Sequence, residues 1–549
     1  MSFNKMYRII LAGIIVVMFS GFFTGKDDVY FEINKNIDLF SKVYKEVTFN
    51  YVDKVDPEEF MRAGIKGMLG SLDPYTIFID ENKKQDFDLI TNGKYGGVGI
   101  SIGVRGNKVT VIEIMDGYSA QKQGIRVGDI LIEAGGDKIT PENVDDISSV
   151  VKGKPGTMVD LKVIRDQKDT LNFNLVREEV KVKSLTYYGF YPKNSNNVYM
   201  KLTNFSRSAG DEIQKALKEL KSEKPIKSVV LDLRGNPGGL LDVAVDIADE
   251  FLPKGDLVVT TKGREEDSKK SYFSTQEPFL PDARLAILIN GGSASASEIV
   301  TGAMQDHDRG IVLGTKSFGK GLVQTITPLD YNTSLKITTA KYYTPSGRCI
   351  QKIDYAKNNK AVSEVDTVVK TSFLTDHKRV VYSAGGITPD TLVREENLGN
   401  VVKDLLAKGM FFQFADHYYY QNPNADFHKL NENQLFSDFE KYLNTNDYKF
   451  HSLAEDQVNQ LLAEIKDKKA DKDLNEGLTR IKNEFEKLGN SELKIYKDEI
   501  INEIKIELAS RYLGNDGMIR HILANDNQFQ TALKILSDKT EYDKLLNIN

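Results

Sequence analysis

The chain has 549 residues, enough for about three or four domains, and its 40% apolar and 28% charged content excludes a disordered or fibrous protein. Lys and Arg number 73 against 79 Asp and Glu, and a net charge of −6 is unlike that of a general nucleic-acid binder. A single cysteine, Cys349, excludes a disulfide framework, a cysteine-rich zinc site and an iron–sulfur cluster, and no histidine pair has H-E-x-x-H spacing, so no metal or cofactor is expected.

In chain order, Lys5 and Arg8 precede an apolar run from Ile9 to Phe23, closed by Lys26, Asp27 and Asp28. This is the layout of an export signal, shorter than the roughly 20 apolar residues of a membrane span. No A-x-A site follows, so residues 1–26 read as a signal peptide or an uncleaved anchor, with a buried core helix as the alternative. The protein is expected to be exported, periplasmic or extracytoplasmic, and to meet a membrane only through this segment. Residues 27–83 read as a helical subdomain: Ile33, Ile37, Phe40, Tyr44 and Val47 fall near helical spacing, and a second helix runs from Glu58 to Leu69.

Residues 84–180 read as β-rich. Val98, Ile100 and Ile102 alternate with small or polar residues. Residues 181–390 read as mixed α/β, with continuous apolar strands at Val229–Leu233, Leu285–Ile289 and Ile311–Leu313 of the kind covered on both faces. Helices are expected over Leu240–Phe251 and Ser297–Met304. Beyond Asp390 the composition shifts, and Val458, Leu461, Leu462 and Ile465 repeat at helical spacing. Residues 391–549 are therefore expected to form an added helical domain.

Two regions carry candidate chemistry. Gly97-Val98-Gly99-Ile100 opens the β-rich unit, and glycines there let backbone N–H groups converge on a carboxylate. An extended peptide could add as a strand beside that nest with its free C-terminus held in it; a glycine-rich β-bulge is the alternative. Together with Gly124-Ile125-Arg126-Val127-Gly128-Asp129-Ile130-Leu131, this stretch resembles a PDZ domain. The resemblance implies binding of C-terminal tails.

The second region begins at Asn290-Gly291-Gly292-Ser293-Ala294-Ser295-Ala296-Ser297-Glu298, which follows a buried strand and opens a helix. A nucleophile there would be exposed by the turn and favoured by the helix N-terminus. Ser295-Ala296-Ser297-Glu298 also fits a capping box, a structural alternative. Gly314-Thr315-Lys316-Ser317-Phe318-Gly319-Lys320-Gly321 nearly matches a phosphate-binding loop, but its last residue is Gly321 and a strand-like run follows where a helix is required. No histidine is well placed as a base, since His307 lies in a charged stretch. A lysine can replace it when desolvation keeps it neutral.

Leu231-Asp232-Leu233-Arg234-Gly235-Asn236-Pro237-Gly238-Gly239, Ser293 to Glu298, Phe318-Gly319-Lys320-Gly321, Tyr342 to Arg348 and Gly386-Ile387-Thr388-Pro389-Asp390 occur in the order found in one family. Over about residues 30 to 390 the chain resembles a carboxy-terminal processing, or tail-specific, protease with an inserted PDZ domain. The family's nucleophile-to-lysine spacing selects Ser295, paired with Lys320, rather than Ser293 or Ser297. The resemblance also implies that Gln324 orients Lys320, and that N–H groups of Ala296 and of Gly238 or Gly239 form the oxyanion hole. Asp306 stands where some members have an acidic residue that matters, or is a helix-surface charge. Arg165 is a candidate tie between the PDZ unit and the protease core.

The expected fold is thus an α/β multidomain protein: an α/β Ser-Lys protease core, an inserted PDZ domain, an N-terminal helical subdomain and a C-terminal helical extension. The expected activity is a serine endopeptidase cleaving proteins near their C-termini. Its partners would be protein or peptide substrates with free C-termini, with room for a regulatory protein and none for nucleic acid. The rival reading is a non-catalytic binding scaffold on the same fold.

Overall fold

The computed structural model describes residues 27–80, 93–165, 169–353, 355, 371–383, 385–450, 453–466 and 472–548. The expected export signal and residues 81–92 lie outside these residues. No helix among the described residues is long and apolar enough to cross a membrane. The described residues divide into two compact units, one formed by residues 27–79 with 324–338 and 355, the other by the remaining described residues.

In the first unit, helices α1 (Asp27–Asn50) and α2 (Pro57–Gly70) stand where the apolar spacing predicts them. Asp56 caps α2 by accepting from the N–H groups of Glu58 and Glu59 at 2.8 and 3.0 Å, and Pro57 gives up only an N–H that would be unpaired there. Tyr44 stacks on Phe60 with ring centres 5.7 Å apart, joining the two helices. Strand β1 (Ile77–Ile79) runs antiparallel to Ser334–Lys336.

The second unit holds several sheets. Strand β2 (Lys94–Gly97) pairs with a later strand, β9 (Glu178–Lys181), at the neck of the inserted domain. Between them β3 (Ile100–Arg105), β4 (Lys108–Ile114), β5 (Ile130–Ala134), β7 (Met158–Arg165) and β8 (Asp169–Val176) form an antiparallel sheet in the order β3-β4-β5-β7-β8, with β6 (Asp137–Lys138) on β5. Helices α3 (Ser119–Gln123) and α4 (Val144–Val151) complete this PDZ fold. Its strands follow the period of two: Val159, Leu161 and Val163 of β7 are buried while Asp160 is exposed.

The expected protease core is a six-stranded sheet in the order β10-β11-β12-β15-β16-β21. It contains β10 (Leu185–Phe190), β11 (Asn197–Leu202), β12 (Ser228–Asp232), β15 (Arg284–Ile289), β16 (Ile311–Gly314) and β21 (Thr391–Leu392). All are parallel except β10, which is antiparallel to β11. A smaller antiparallel sheet contains β13 (Leu257–Gly263), β14 (Lys270–Phe273) and the end of β18 (Ser334–Tyr343). Strand β17 (Leu322–Pro328) also pairs with β18, so a strand does follow the glycine loop, as expected.

Each face of the central sheet is covered. Val229, Leu231, Leu285 and Ile287 pack with α5 (Ala209–Glu223), α6 (Leu241–Asp249) and α7 (Ala296–Asp306) through Ile213, Leu217, Val243, Ile247, Ile299 and Val300. The alternate residues Val230, Ala286, Leu288 and Leu313 pack with Phe529, Ala532, Ile535, Leu536 and Tyr542. This explains why β12 and β15 lack alternation. It also revises the picture of the region after Asp390. Helices α8 (Asn400–Ala407), α9 (Met410–Gln421) and α10 (Glu432–Thr445), followed by the hairpin α11 (Leu453–Lys466) and α12 (Lys472–Ile495), lead into α13 (Lys497–Asn525). Val401, Phe411, Phe439, Ile500 and Ile504 of α8, α9, α10 and α13 share one separate core. But α13 breaks at Gly514 (φ 70°, ψ −170°), and its end, with α14 (Asn527–Ser537) and α15 (Lys539–Leu545), belongs to the protease sheet. The last part of the expected helical extension is therefore one wall of the protease core.

Candidate active site

Parallel strands β12, β15 and β16 are neighbours, so the segments leaving their carboxyl ends emerge on one edge of the sheet. Those segments are Leu233–Gly239, Asn290–Ser295 and Thr315–Gly321. Open α/β sheets place their ligands at this edge.

Of the three candidate serines, two are structural. Ser293 is fully buried, donates to the Leu233 carbonyl at 2.8 Å and accepts from the Asn290 N–H at 3.0 Å. Ser297, also fully buried, donates to the Asn236 carbonyl at 2.9 Å. Ser295 is half-buried and sits at φ 56°, ψ −115°, a conformation that side chains rarely adopt and that costs about 1–3 kcal/mol. The surroundings hold it there: its carbonyl accepts from the Tyr342 hydroxyl at 3.1 Å, and its N–H donates to Glu298 Oε2 at 2.9 Å.

Glu298 does more than the capping reading predicts. All of α7 is buried, and Glu298 is 0% exposed. Its Oε1 accepts from Ser317 Oγ at 2.5 Å and the Gly319 N–H at 2.8 Å, while Oε2 accepts from Ser295 and from the Lys320 N–H at 2.9 Å. Burial pushes this carboxyl up to about 7 against the pull of those donors. One carboxylate thus binds the main chain at both Ser295 and Lys320. Phe318 N–H to the Ser293 carbonyl (3.0 Å) and Tyr342 N–H to the Gly321 carbonyl (3.0 Å) join the two segments again. Lys320 is half-buried.

The glycines after β12 press against the serine turn. Gly238 has φ 96°, and a Cβ there would lie 2.9 Å from Ser295 Cβ and 2.6 Å from the Ala294 carbonyl oxygen, so only glycine fits. Its N–H already donates to Asn236 Oδ1 at 2.9 Å, which removes Gly238 from the expected oxyanion donors. Among the described residues no acceptor meets the N–H of Gly239 or of Ala296. Buried Asn236 clamps the loop: its side-chain amide donates to the Leu202 carbonyl (2.8 Å), and its own carbonyl accepts from the Ala294 N–H (3.0 Å).

The remaining expected residues fall elsewhere. Gln324 belongs to the first unit, where its Nε2 donates to Thr338 Oγ1 at 3.3 Å. Asp306 is not a helix-surface charge; it is 1% exposed at the far end of α7, roughly 16 Å of helix from Ser295 at the usual rise per residue. There it pairs with buried Arg348 at 2.7 Å and accepts from the Ser346 N–H at 3.0 Å, because a buried charge needs a partner. Arg165 forks onto Asp129 at 2.8 and 2.7 Å and donates to the Gly124 carbonyl at 2.8 Å, locking its own PDZ domain where the sequence suggests a tie between domains. In the PDZ unit, β3 is an edge strand, Val98 is buried and Gly99 has φ 80°. The N–H groups of Val98 and Gly99 meet no acceptor among the described residues.

Family models match four stretches: "Peptidase family S41" at residues 196–359, "PDZ domain" at 96–175, "Probable PDZ-protease, C-terminal helical domain" at 401–536 and "Activating protease CtpB N-terminal domain" at 23–83. The chain is 38% identical over 323 residues to a carboxy-terminal-processing protease of Bartonella bacilliformis, covering 58% of this chain and 73% of that one. It is 31% identical over 325 residues to carboxy-terminal processing protease CtpB of Bacillus subtilis, covering 58% and 67%. A probable CtpA-like serine protease of Staphylococcus aureus is 34% identical over 336 residues, and the match spans 65% of its length. The solved photosystem II D1 C-terminal processing protease is 24% identical, with 65% of this chain and 92% of that chain covered at a TM-score of 0.35. Fold and matches together define a protease with an α/β core and an inserted PDZ domain. The chain belongs to the carboxy-terminal processing protease family.

Proposed function

We propose that this protease is an exported serine endopeptidase working by a Ser295/Lys320 dyad and cleaving proteins near their C-termini. The observation that carries the reading is the shared carboxylate of Glu298, which binds the main chain of both Ser295 and Lys320, while Ser293 and Ser297 donate their hydroxyls to buried main-chain carbonyls. Ser295 attacks the scissile carbonyl while Lys320, as the free amine, takes its proton. Lys320 then returns that proton to the leaving amine, and water resolves the acyl-enzyme. N–H groups of Gly239 and Ala296 would receive the charge that develops on the substrate oxygen. A fluorophosphonate probe followed by peptide mapping tests the reading: label on Ser295 supports it, and label elsewhere or nowhere removes it.

The PDZ domain is proposed to bind substrate tails. An extended peptide would pair with the free edge of β3 and place its carboxylate on the Val98 and Gly99 N–H groups. A ligand that also stabilises the aligned active site must bind that state better than the misaligned one. A peptide with a free apolar C-terminus is therefore expected to stimulate cleavage of a second substrate that lacks such a tail, and amidation of the peptide to weaken the effect. Competition without stimulation at any concentration would reduce the domain to a tether.

A further inference from the structure

The loop that carries Gly239 is held from outside by the end of the chain. Arg234, at its start, pairs with Asp232 of β12 through Nε at 3.0 Å and Nη2 at 2.6 Å. That bond spans two residues of one segment and cannot fix the loop relative to anything else. The other half of the guanidinium faces α14. Nη2 donates to Asp526 Oδ2 at 2.6 Å and Nη1 to Gln528 Oε1 at 2.8 Å. Arg234 and Asp526 are 14% and 11% exposed and Gln528 is fully buried, so water screens these contacts weakly.

The same helix end also reaches the serine turn. Gln528 Nε2 donates to the Val393 carbonyl at 2.7 Å, and Asn527 Nδ2 to the Arg394 carbonyl at 3.0 Å. The next residue, Glu395, accepts from Asn290 Nδ2 at 2.8 Å. Asn290 Oδ1 in turn accepts from the N–H groups of Gly235 at 2.8 Å and Gly292 at 3.0 Å. The start of α14 is thus bonded directly to the oxyanion loop and, through the segment Val393–Glu395, to the serine turn. Its own position is fixed by Phe529, Ala532 and Ile535 packed on the sheet.

We propose that Asp526 and Gln528 are positioning residues for catalysis, setting the loop of Arg234 to Gly239 against Ser295. The inference rests on the oxyanion reading of Gly239 and Ala296. Removing an oxyanion donor outright lowers kcat by about 10²–10³, so letting one drift is expected to lower it by about tenfold.

Asp526→Asn separates this role from a structural one. Asp526 Oδ1 also caps α14, accepting from the Gln528 and Phe529 N–H groups at 3.0 Å, and Asn caps equally well. The amide nitrogen would then face Arg234, donor against donor. In the full-length protein the variant should lose about tenfold in kcat on a peptide substrate, with KM within twofold and the unfolding midpoint within about 4 °C. Fluorophosphonate labelling of Ser295 should slow by the same factor. Unchanged kcat, or a raised KM with kcat intact, overturns the proposal. If the midpoint falls further, Gln528→Met, which leaves the cap in place, decides by the same criteria. Wild-type labelling at Ser295 alongside normal labelling of both variants would sink only this inference, whereas no label on wild-type Ser295 would sink the dyad reading itself.

Discussion

Ser295→Ala is expected to abolish proteolysis, lowering kcat by roughly 10⁴–10⁶ without disturbing the fold. The turn does not depend on the hydroxyl alone, because Glu298 and Tyr342 also hold it through the main chain of Ser295. Lys320→Ala should be as damaging, and the double variant little worse than either, because groups acting as a unit are lost together. Ser293→Ala should behave differently. It removes two buried bonds, to Leu233 and Asn290, and is expected to lower stability by about 1–3 kcal/mol while leaving a working nucleophile. Steady-state kinetics and thermal melting on the same preparations check all four. If Ser293→Ala abolishes turnover in folded protein and Ser295→Ala does not, the nucleophile is misassigned.

Glu298→Gln should lower kcat by about 100-fold, the effect of misplacing reacting groups by an ångström or so. Each oxygen of the carboxylate accepts two donors, so the amide nitrogen would confront an N–H or hydroxyl wherever it points. Protonation introduces the same conflict, and burial has raised this group from its ordinary 4.5 to about 7. Activity should therefore fall as pH drops below about 7, and Glu298→Gln should lack that limb. Stability moves the other way. A carboxyl whose folded pKa is raised binds its proton better in the native state, so its contribution is full below 4.5 and lost as pH rises through about 7. A kcat–pH profile measured beside unfolding midpoints checks both signs. Near-normal turnover by Glu298→Gln would overturn the role given to this carboxylate.

Much of the fold was legible because it is written in local pattern. The apolar runs at Val229–Leu233 and Leu285–Ile289 announce strands covered on both faces, and β7 shows its period of two. The serine turn was legible from its place between a strand and a helix, and the choice among its serines from the family resemblance. What escaped were partners remote in sequence. Glu298 and Ser295 are three residues apart and look like a helix cap, yet the bonds to Ser317, Gly319 and Lys320 exist only because β15 and β16 lie side by side. Asp306 finds Arg348, and Asp526 finds Arg234 across 292 residues; no spacing announces either pair. One signal was available for two of them: a helix that follows a fully buried strand and lies within a two-layered core must pair any carboxylate it carries. Glu298 and Asp306 are such carboxylates.

The assignment of the sheet's second wall to α14 and α15 orders events during synthesis. Every strand of the protease sheet leaves the ribosome before α14 and α15, which cover its second face. Until they follow, Val230, Ala286, Leu288 and Leu313 have no cover, and the nascent chain presents an apolar surface of the kind that chaperones shield. The nascent protease therefore cannot complete its own hydrophobic core while most of its sequence, nucleophile included, is already made. A chain released early, short of Phe529, would carry Ser295 and Lys320 on an unfinished scaffold. A chain that stops short of α14 therefore lacks one wall of the protease sheet.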